Sequence, residues 1–235
     1  MRKKLADEAL LYDPAFEKDA CGMGFIAQKD GKSSHLLVER ALTMLARMNH
    51  RGGTGAEPDT GDGAGILMAL PDAFFQEKAQ EAGIELPAKG EYAVGMLFLP
   101  KEQKKKTELQ KALVTDILAS GFDVLWTRDV PYNFYNCGPG AQAVMPSFLQ
   151  IFIEKPLDMQ PGRDFEDHLF YLRRKLEKSY DANEVSLCSL SSKTIVYKGM
   201  LHAYQVAEFF PDLVDPSMTT SIALTHSRFS TDRKS

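Results

Sequence analysis

Strand-like and helix-like segments interleave irregularly along this chain, and that order most limits what it can fold into. A short apolar run at 24–28 reads as a buried strand turned by Asp30-Gly31, with Ser33 or Ser34 placed to cap the helix that follows. Leu37, Ala41, Leu45 and Met48, with Leu42 and Met44 beside them, recur at helical spacing through residue 49. That helix is expected to stop at His50-Arg51-Gly52-Gly53, where glycine permits a left-handed backbone. A glycine-dense loop at 52–65 feeds a strand at 66–70. Further on, the pattern predicts a helix at 72–82, a strand at 92–99, an amphipathic helix at 101–119 and a strand at 123–130. Residues 143–154 are strand-like but contain Pro146, which predicts an edge strand or a bend. A charged helix at 164–180, with Leu169, Leu172 and Leu176 on its inner side, precedes strands at 186–190, 194–198 and 221–229. A doubly wound parallel sheet would alternate regularly, so this order predicts an α+β fold of layered sheets and helices.

The composition excludes several functions. Of 235 residues, 44% are hydrophobic and 26% charged, which suits a soluble globular core. A formal charge of −4 gives no reason to expect nucleic acid, and the lysine run at 104–106 reads as a solvated helix face. No 18-residue apolar run is present, so no membrane span is expected. Residues 1–20 carry acidic residues and no apolar core, so a secretory signal is not supported and a cytoplasmic location follows. Cys21, Cys137 and Cys188 show neither paired spacing nor a metal-ligand pattern, which favours a reducing compartment without disulfides.

Cys21 is the residue with the clearest chemical potential. It stands between a polar stretch ending Lys18-Asp19-Ala20 and the strand-forming run Gly22-Met23-Gly24-Phe25-Ile26-Ala27. Cleavage before it would leave one residue holding both a thiol nucleophile and a free α-amine, whose reference pKa of about 7.7–8.0 suits proton relay at neutral pH. A buried structural thiol is the plainer alternative. Arg51 ends a helix before two glycines, where a guanidinium can hold a carboxylate or simply complement the helix dipole. In Thr60-Gly61-Asp62-Gly63-Ala64-Gly65 a strand follows rather than a helix and no phosphate-binding lysine is present, so nucleotide binding is rejected. Asp59 and Asp62 fit no calcium-loop template, which leaves a tight structural loop bordering a pocket. In His226-Ser227-Arg228-Phe229-Ser230-Thr231, Arg228 shares a strand face with His226 and Ser230 and can grip an α-carboxylate or form a cross-strand ion pair. His35, His168 and His202 have no partner at ligand spacing and read as surface or satisfied residues.

Taken in order, these clusters resemble class II glutamine amidotransferases of the N-terminal-nucleophile (Ntn) kind. More closely, they are similar to the amino-terminal glutaminase domain of the glutamate synthase large subunit. The matching segments are Asp19-Ala20-Cys21-Gly22-Met23-Gly24-Phe25, Asn49-His50-Arg51-Gly52-Gly53, Asp59-Thr60-Gly61-Asp62-Gly63-Ala64-Gly65, Ser191-Ser192-Lys193-Thr194-Ile195-Val196-Tyr197-Lys198-Gly199-Met200-Leu201 and the run from His226 to Thr231. The resemblance implies a four-layer α/β/β/α sandwich with largely antiparallel sheets. It also implies a propeptide at 1–20 and a glutaminase portion at 21–235. Cys21 would be the nucleophile, Arg228 would bind the glutamine α-carboxylate with Thr231 assisting, and Arg51 would order the pocket wall. The Tyr197–Met200 segment would be structural.

The chemistry so implied is hydrolysis of L-glutamine to L-glutamate and ammonia through a γ-glutamyl thioester. In the full enzyme the ammonia would aminate 2-oxoglutarate, with FMN and an iron–sulfur cluster in the remaining domains and none in this chain. Those domains, with the small subunit, would be its partners, without nucleic acid, membrane or bound metal. The sequence departs from the family after Thr231, where Asp232-Arg233-Lys234-Ser235 replaces the expected continuation, and no Asn-Gly pair for an oxyanion hole occurs. The resemblance therefore implies a sandwich cut off before its oxyanion region and a chain with little glutaminase activity of its own, since one lost oxyanion donor costs about 10²–10³ in turnover. The alternative is a fragment that binds glutamine or complements a partner chain without catalysis.

Overall fold

The computed structural model describes residues 22–52 and 57–227, apart from the side chain of Arg51. Two four-stranded antiparallel sheets organise it. The first contains β1 (Gly22–Ala27), β2 (Ala64–Ala69), β7 (Thr194–Gly199) and β8 (Ile222–Ser227), in the order β1-β8-β2-β7. The second contains β3 (Tyr92–Leu99), β4 (Val124–Asp129), β5 (Ser147–Glu154) and β6 (Ser186–Ser191), in the order β4-β5-β3-β6. Two antiparallel sheets with helices give the expected α+β class, consistent with an α/β/β/α sandwich that is not closed.

The second sheet forms a separate unit by its connections. Helix α3 (Gln103–Leu118) follows β3 and helix α5 (Arg163–Ser179) precedes β6, giving the β-α-β-β-α-β order of a split βαβ motif. Alternation along β3 and β5 sends Ala93, Leu97, Leu149, Ile151 and Ile153 to one face, where Leu113 and Ile117 of α3 and Leu169, Leu172 and Leu176 of α5 cover them. The opposite face contributes Val94, Met96, Phe148 and Phe152 to a second core, shared with Ile66, Met68, Ile195 and Tyr197 of the first sheet. Helix α1 (His35–Arg47) joins that core through Leu37, Ala41 and Leu45, as its spacing predicts. So does α2 (Asp72–Glu81), through Phe74, Phe75 and Ala79.

The other face of the first sheet is open. Met23 and Phe25 are 67% and 62% exposed, and Leu224 is 37% exposed, although all three are apolar. The register puts them in rows across the sheet, Met23 beside His226 and Phe25 beside Leu224.

Several local expectations need correction. The strand expected to bend at Pro146 begins after it, at Ser147, and lies between β4 and β3 rather than at an edge. Pro146 therefore costs that strand no ladder hydrogen bond. Residues 139–144 just before it form a short helix, α4 (Pro139–Val144). Helix α1 stops at Arg47 with Met48 as its cap and passes into a 3₁₀ turn at Asn49–Arg51; Gly52 is extended with φ −76° rather than left-handed, and Gly53 lies outside the described residues. Ser34 occupies the cap position without a side-chain bond, and its backbone instead pairs with Thr220. Lys106 does not lie on a solvated face: it is 7% exposed and its Nζ sits 2.6 Å from Asp129.

Candidate active site

Four chain segments meet at one end of the first sheet. In the β1–β8 ladder Gly22 faces Ser227, and Ser227 also faces Ala64 at the start of β2. The 3₁₀ turn that follows α1 brings Gly52 to the same point, where a β-carbon on Gly52 would lie 3.4 Å from Ser227 Oγ. Cys21, Arg228 and Thr231 lie outside the described residues. Their described neighbours Gly22 and Ser227 are cross-strand partners, and the residue after Arg51 packs on the same serine. Small residues permit this convergence, because Gly22, Gly52 and Ser227 leave room for three backbones to approach.

The glycine loop is fixed from its far side. The Glu57 carboxylate accepts the Gly140 N–H and the Thr60 hydroxyl, each at 2.8 Å, and these bonds hold its pKa below the usual carboxylate value. Gly138 N–H donates to the Asp59 carbonyl, Gln205 Nε2 to the same carbonyl, and His202 Nε2 pairs with the Pro58 carbonyl at 2.9 Å. His202 is thus buried and satisfied, as the sequence suggested. At Gly61 a β-carbon would lie 2.3 Å from both His202 N and the Leu201 carbonyl carbon. The clash is with backbone, which cannot swing aside. Gly61→Ala is expected to cost about 1–3 kcal/mol, read from urea unfolding; an unchanged midpoint would contradict this close approach.

The loop then borders a pocket, as expected. A cavity of about 210 Å³ is lined by Gly63, Gly65, Leu67, Val196, Leu224 and His226, on the open sheet face. Gly65 sits between Lys198 and His226 in the strand register, and a β-carbon there would come within 2.6 Å of Lys198 Cβ. Side chains are excluded from the middle of this row, which leaves a trough between a lysine and a histidine.

Behind the pocket, Tyr197 anchors β7 into a buried polar network. Its hydroxyl donates to Asp212 at 2.9 Å and accepts from Gln150 Nε2 at 2.8 Å. Arg128 grips Asp212 with two bonds of 2.7 Å and also reaches Gln150. Burial, reinforced by the Asp212 carboxylate, raises the Tyr197 pKa well above its ordinary value, so the phenol stays a donor. Reading the sequence missed this network, because Arg128 and Asp212 are 84 residues apart and no motif joins them.

Among the described residues no three His, Cys, Asp or Glu side chains come together as a metal site. An iron–sulfur cluster is held by several cysteine thiolates. Here Cys137 and Cys188 are both buried, and burial pushes the Cys188 thiol up to about 11. These two described cysteines do not fit such a cluster. No helix among the described residues is long and apolar enough to cross a membrane.

Comparison with known proteins shows the family. A family model described as class-II glutamine amidotransferases matches residues 21–234. The glutamate synthase [NADPH] large chain of Bacillus subtilis (strain 168) is 42% identical over 224 residues, covering 94% of this chain and 15% of that protein. The corresponding large chain of Azospirillum brasilense is 38% identical over 225 residues, with the same coverage. The chloroplastic ferredoxin-dependent glutamate synthase of Spinacia oleracea is 36% identical over 226 residues, covering 94% of this chain and 14% of its own. The chain thus spans about one seventh of the length of these relatives.

Proposed function

Since the chain belongs to the class-II glutamine amidotransferases, we propose that it carries the glutamine-hydrolysing site of a glutamate synthase, with Cys21 as nucleophile. Once residues 1–20 are removed, the Cys21 amine accepts the thiol proton and the thiolate attacks the side-chain amide carbon of glutamine. The resulting tetrahedral oxyanion collapses, and the same amine returns the proton to the leaving ammonia. Water then attacks the γ-glutamyl thioester to release glutamate and restore the thiol. Arg228 binds the substrate α-carboxylate, Thr231 assists it, and Arg51 orders the pocket wall. In the longer enzyme the ammonia aminates 2-oxoglutarate, in domains that hold the redox cofactors.

The observation that carries this reading is the cross-strand pair Gly22–Ser227, with Gly52 packed on it. It supports one location for the residues proposed to attack, to bind and to order. The test is covalent labelling of Cys21 by a γ-diazoketone analogue of glutamine, followed by the mass of the Cys21 peptide. Arg228→Ala is expected to raise the analogue concentration needed for half-maximal labelling rate by about ten- to a hundredfold, through loss of a charge-assisted fork. Labelling that ignores Arg228, or that falls on Cys137 or Cys188, would defeat the assignment.

A second reading is that the chain binds glutamine or pairs with further polypeptide without catalysing. The exposed Met23, Phe25 and Leu224 favour it, because an apolar sheet face of this kind ordinarily carries a cover. Recovery of glutaminase activity on mixing with the remainder of such a domain would separate a complementing piece from an inert one.

A further inference from the structure

Beside the open sheet face lies a second, larger cavity of about 440 Å³, a volume typical of small-molecule sites. Its walls are mainly apolar, formed by Phe98, Met145, Phe148, Met200, Leu201 and Phe209. Among the described residues one cation borders it. Lys198 lines this cavity and also the smaller one on the open sheet face. Among the described residues no carboxylate is paired with its ammonium, and its charge acts on the buried Cys188 thiol. The nearby acid on the rim, Glu184, is already engaged by Lys105 at 2.5 Å.

An apolar hollow bordered by a lysine that has no carboxylate partner among the described residues has a definite chemical preference. The hollow gains from burying a hydrocarbon body, and the ammonium gains most from an anionic oxygen. A neutral apolar ligand would satisfy only the first requirement, and a small hydrophilic anion only the second.

From this pairing we propose that the cavity bordered by Lys198 is a binding site for a small amphipathic carboxylate, with its body against Met145, Met200 and Phe209 and its carboxylate on Lys198. The site uses none of the residues proposed to attack, bind or order glutamine and does not depend on Cys21. Binding would press on β7, the strand that carries Lys198 and borders both cavities.

The test uses the whole chain with labelled methionine methyl groups and 3-phenylpropanoate as the probe, and 3-phenylpropanamide as its neutral counterpart. The expected result is that the acid shifts the Met145 and Met200 signals and leaves Met23 unmoved, with the amide binding about tenfold more weakly. Lys198→Met should erase the preference for the acid, whereas Lys198→Arg should retain it. If the acid and amide bind alike, if neither moves Met145 and Met200, or if Lys198→Met keeps the preference in a chain whose other methyl signals are unchanged, the proposal is overturned. A probe that shifts Met23 in place of Met200 would assign binding to the open sheet face and overturn it equally.

Discussion

Cys21→Ala is expected to lower glutamine hydrolysis by about 10⁴-fold or more in any chain that contains this domain and turns over glutamine, because removing a covalent nucleophile leaves only binding and polarisation. The measurement is ammonia release under saturating glutamine. The same experiment gains discrimination from a chain that begins at Cys21 compared with one that carries a single extra glycine before it. The extra residue leaves the thiol in place but converts the amine into a peptide nitrogen, which cannot accept a proton. Loss of general-base assistance of this kind costs about 10²–10⁴-fold. The free amine must be neutral to act, so the rate should rise with pH towards a plateau above the reference range of about 7.7–8.0. Equal activity with and without the blocking glycine would remove the amine from the mechanism, while activity surviving Cys21→Ala would remove the thiol.

Asp212→Ala is expected to be the most damaging single change in the described core. The Asp212 side chain is 3% exposed and takes both bonds from Arg128, itself 12% exposed, as well as the Tyr197 hydroxyl. Truncating it leaves a buried guanidinium without its counter-ion, which typically costs about 3–5 kcal/mol. Total stabilities of about 5–15 kcal/mol make that a large fraction. Tyr197→Phe, which keeps the ring against Phe210 and removes one donor, should cost about 1–2 kcal/mol. Chemical denaturation of the two variants gives the comparison, and a small effect of Asp212→Ala would show that Arg128 finds water or another acceptor. The ring of Phe74, 5.4 Å from the guanidinium, offers only a weak cation–π contact in place of the lost carboxylate.

The parts of this fold visible in the sequence were those governed by short-range patterning. The stripe Leu37, Ala41, Leu45 and the run Leu169, Leu172, Leu176 became buried helix faces because their period already matched a helix. Strand 92–99 was legible for its full length, as a continuous apolar run between polar flanks. What escaped depended on partners distant in sequence. Pro146 signalled an interruption, but nothing local showed that the strand beyond it would sit between two others. Lys106 belonged to a polar run, and only the position of Asp129 made its burial affordable. In the candidate site, composition and order singled out Cys21, Arg51 and the loop glycines. The glutamate that ties this loop to Gly140 and the lysine between two cavities carried no signature, since either side chain is as common on an ordinary surface.

The connection between the two sheets has a consequence for how the chain assembles. Ala69 and Thr194 face each other where β2 and β7 meet, and Leu70 N–H donates to the Lys193 carbonyl, so everything from 70 to 193 leaves and re-enters through one doorway. Holding that doorway shut around a shapeless chain would be entropically expensive, whereas a compact insert brings its own ends together. The split βαβ unit is therefore expected to condense first and the first sheet to zip afterwards, with the strand bearing Gly22 among the last to dock. Pulsed hydrogen exchange would show protection appearing at Leu97 and Ile151 before Ile66 and Thr225.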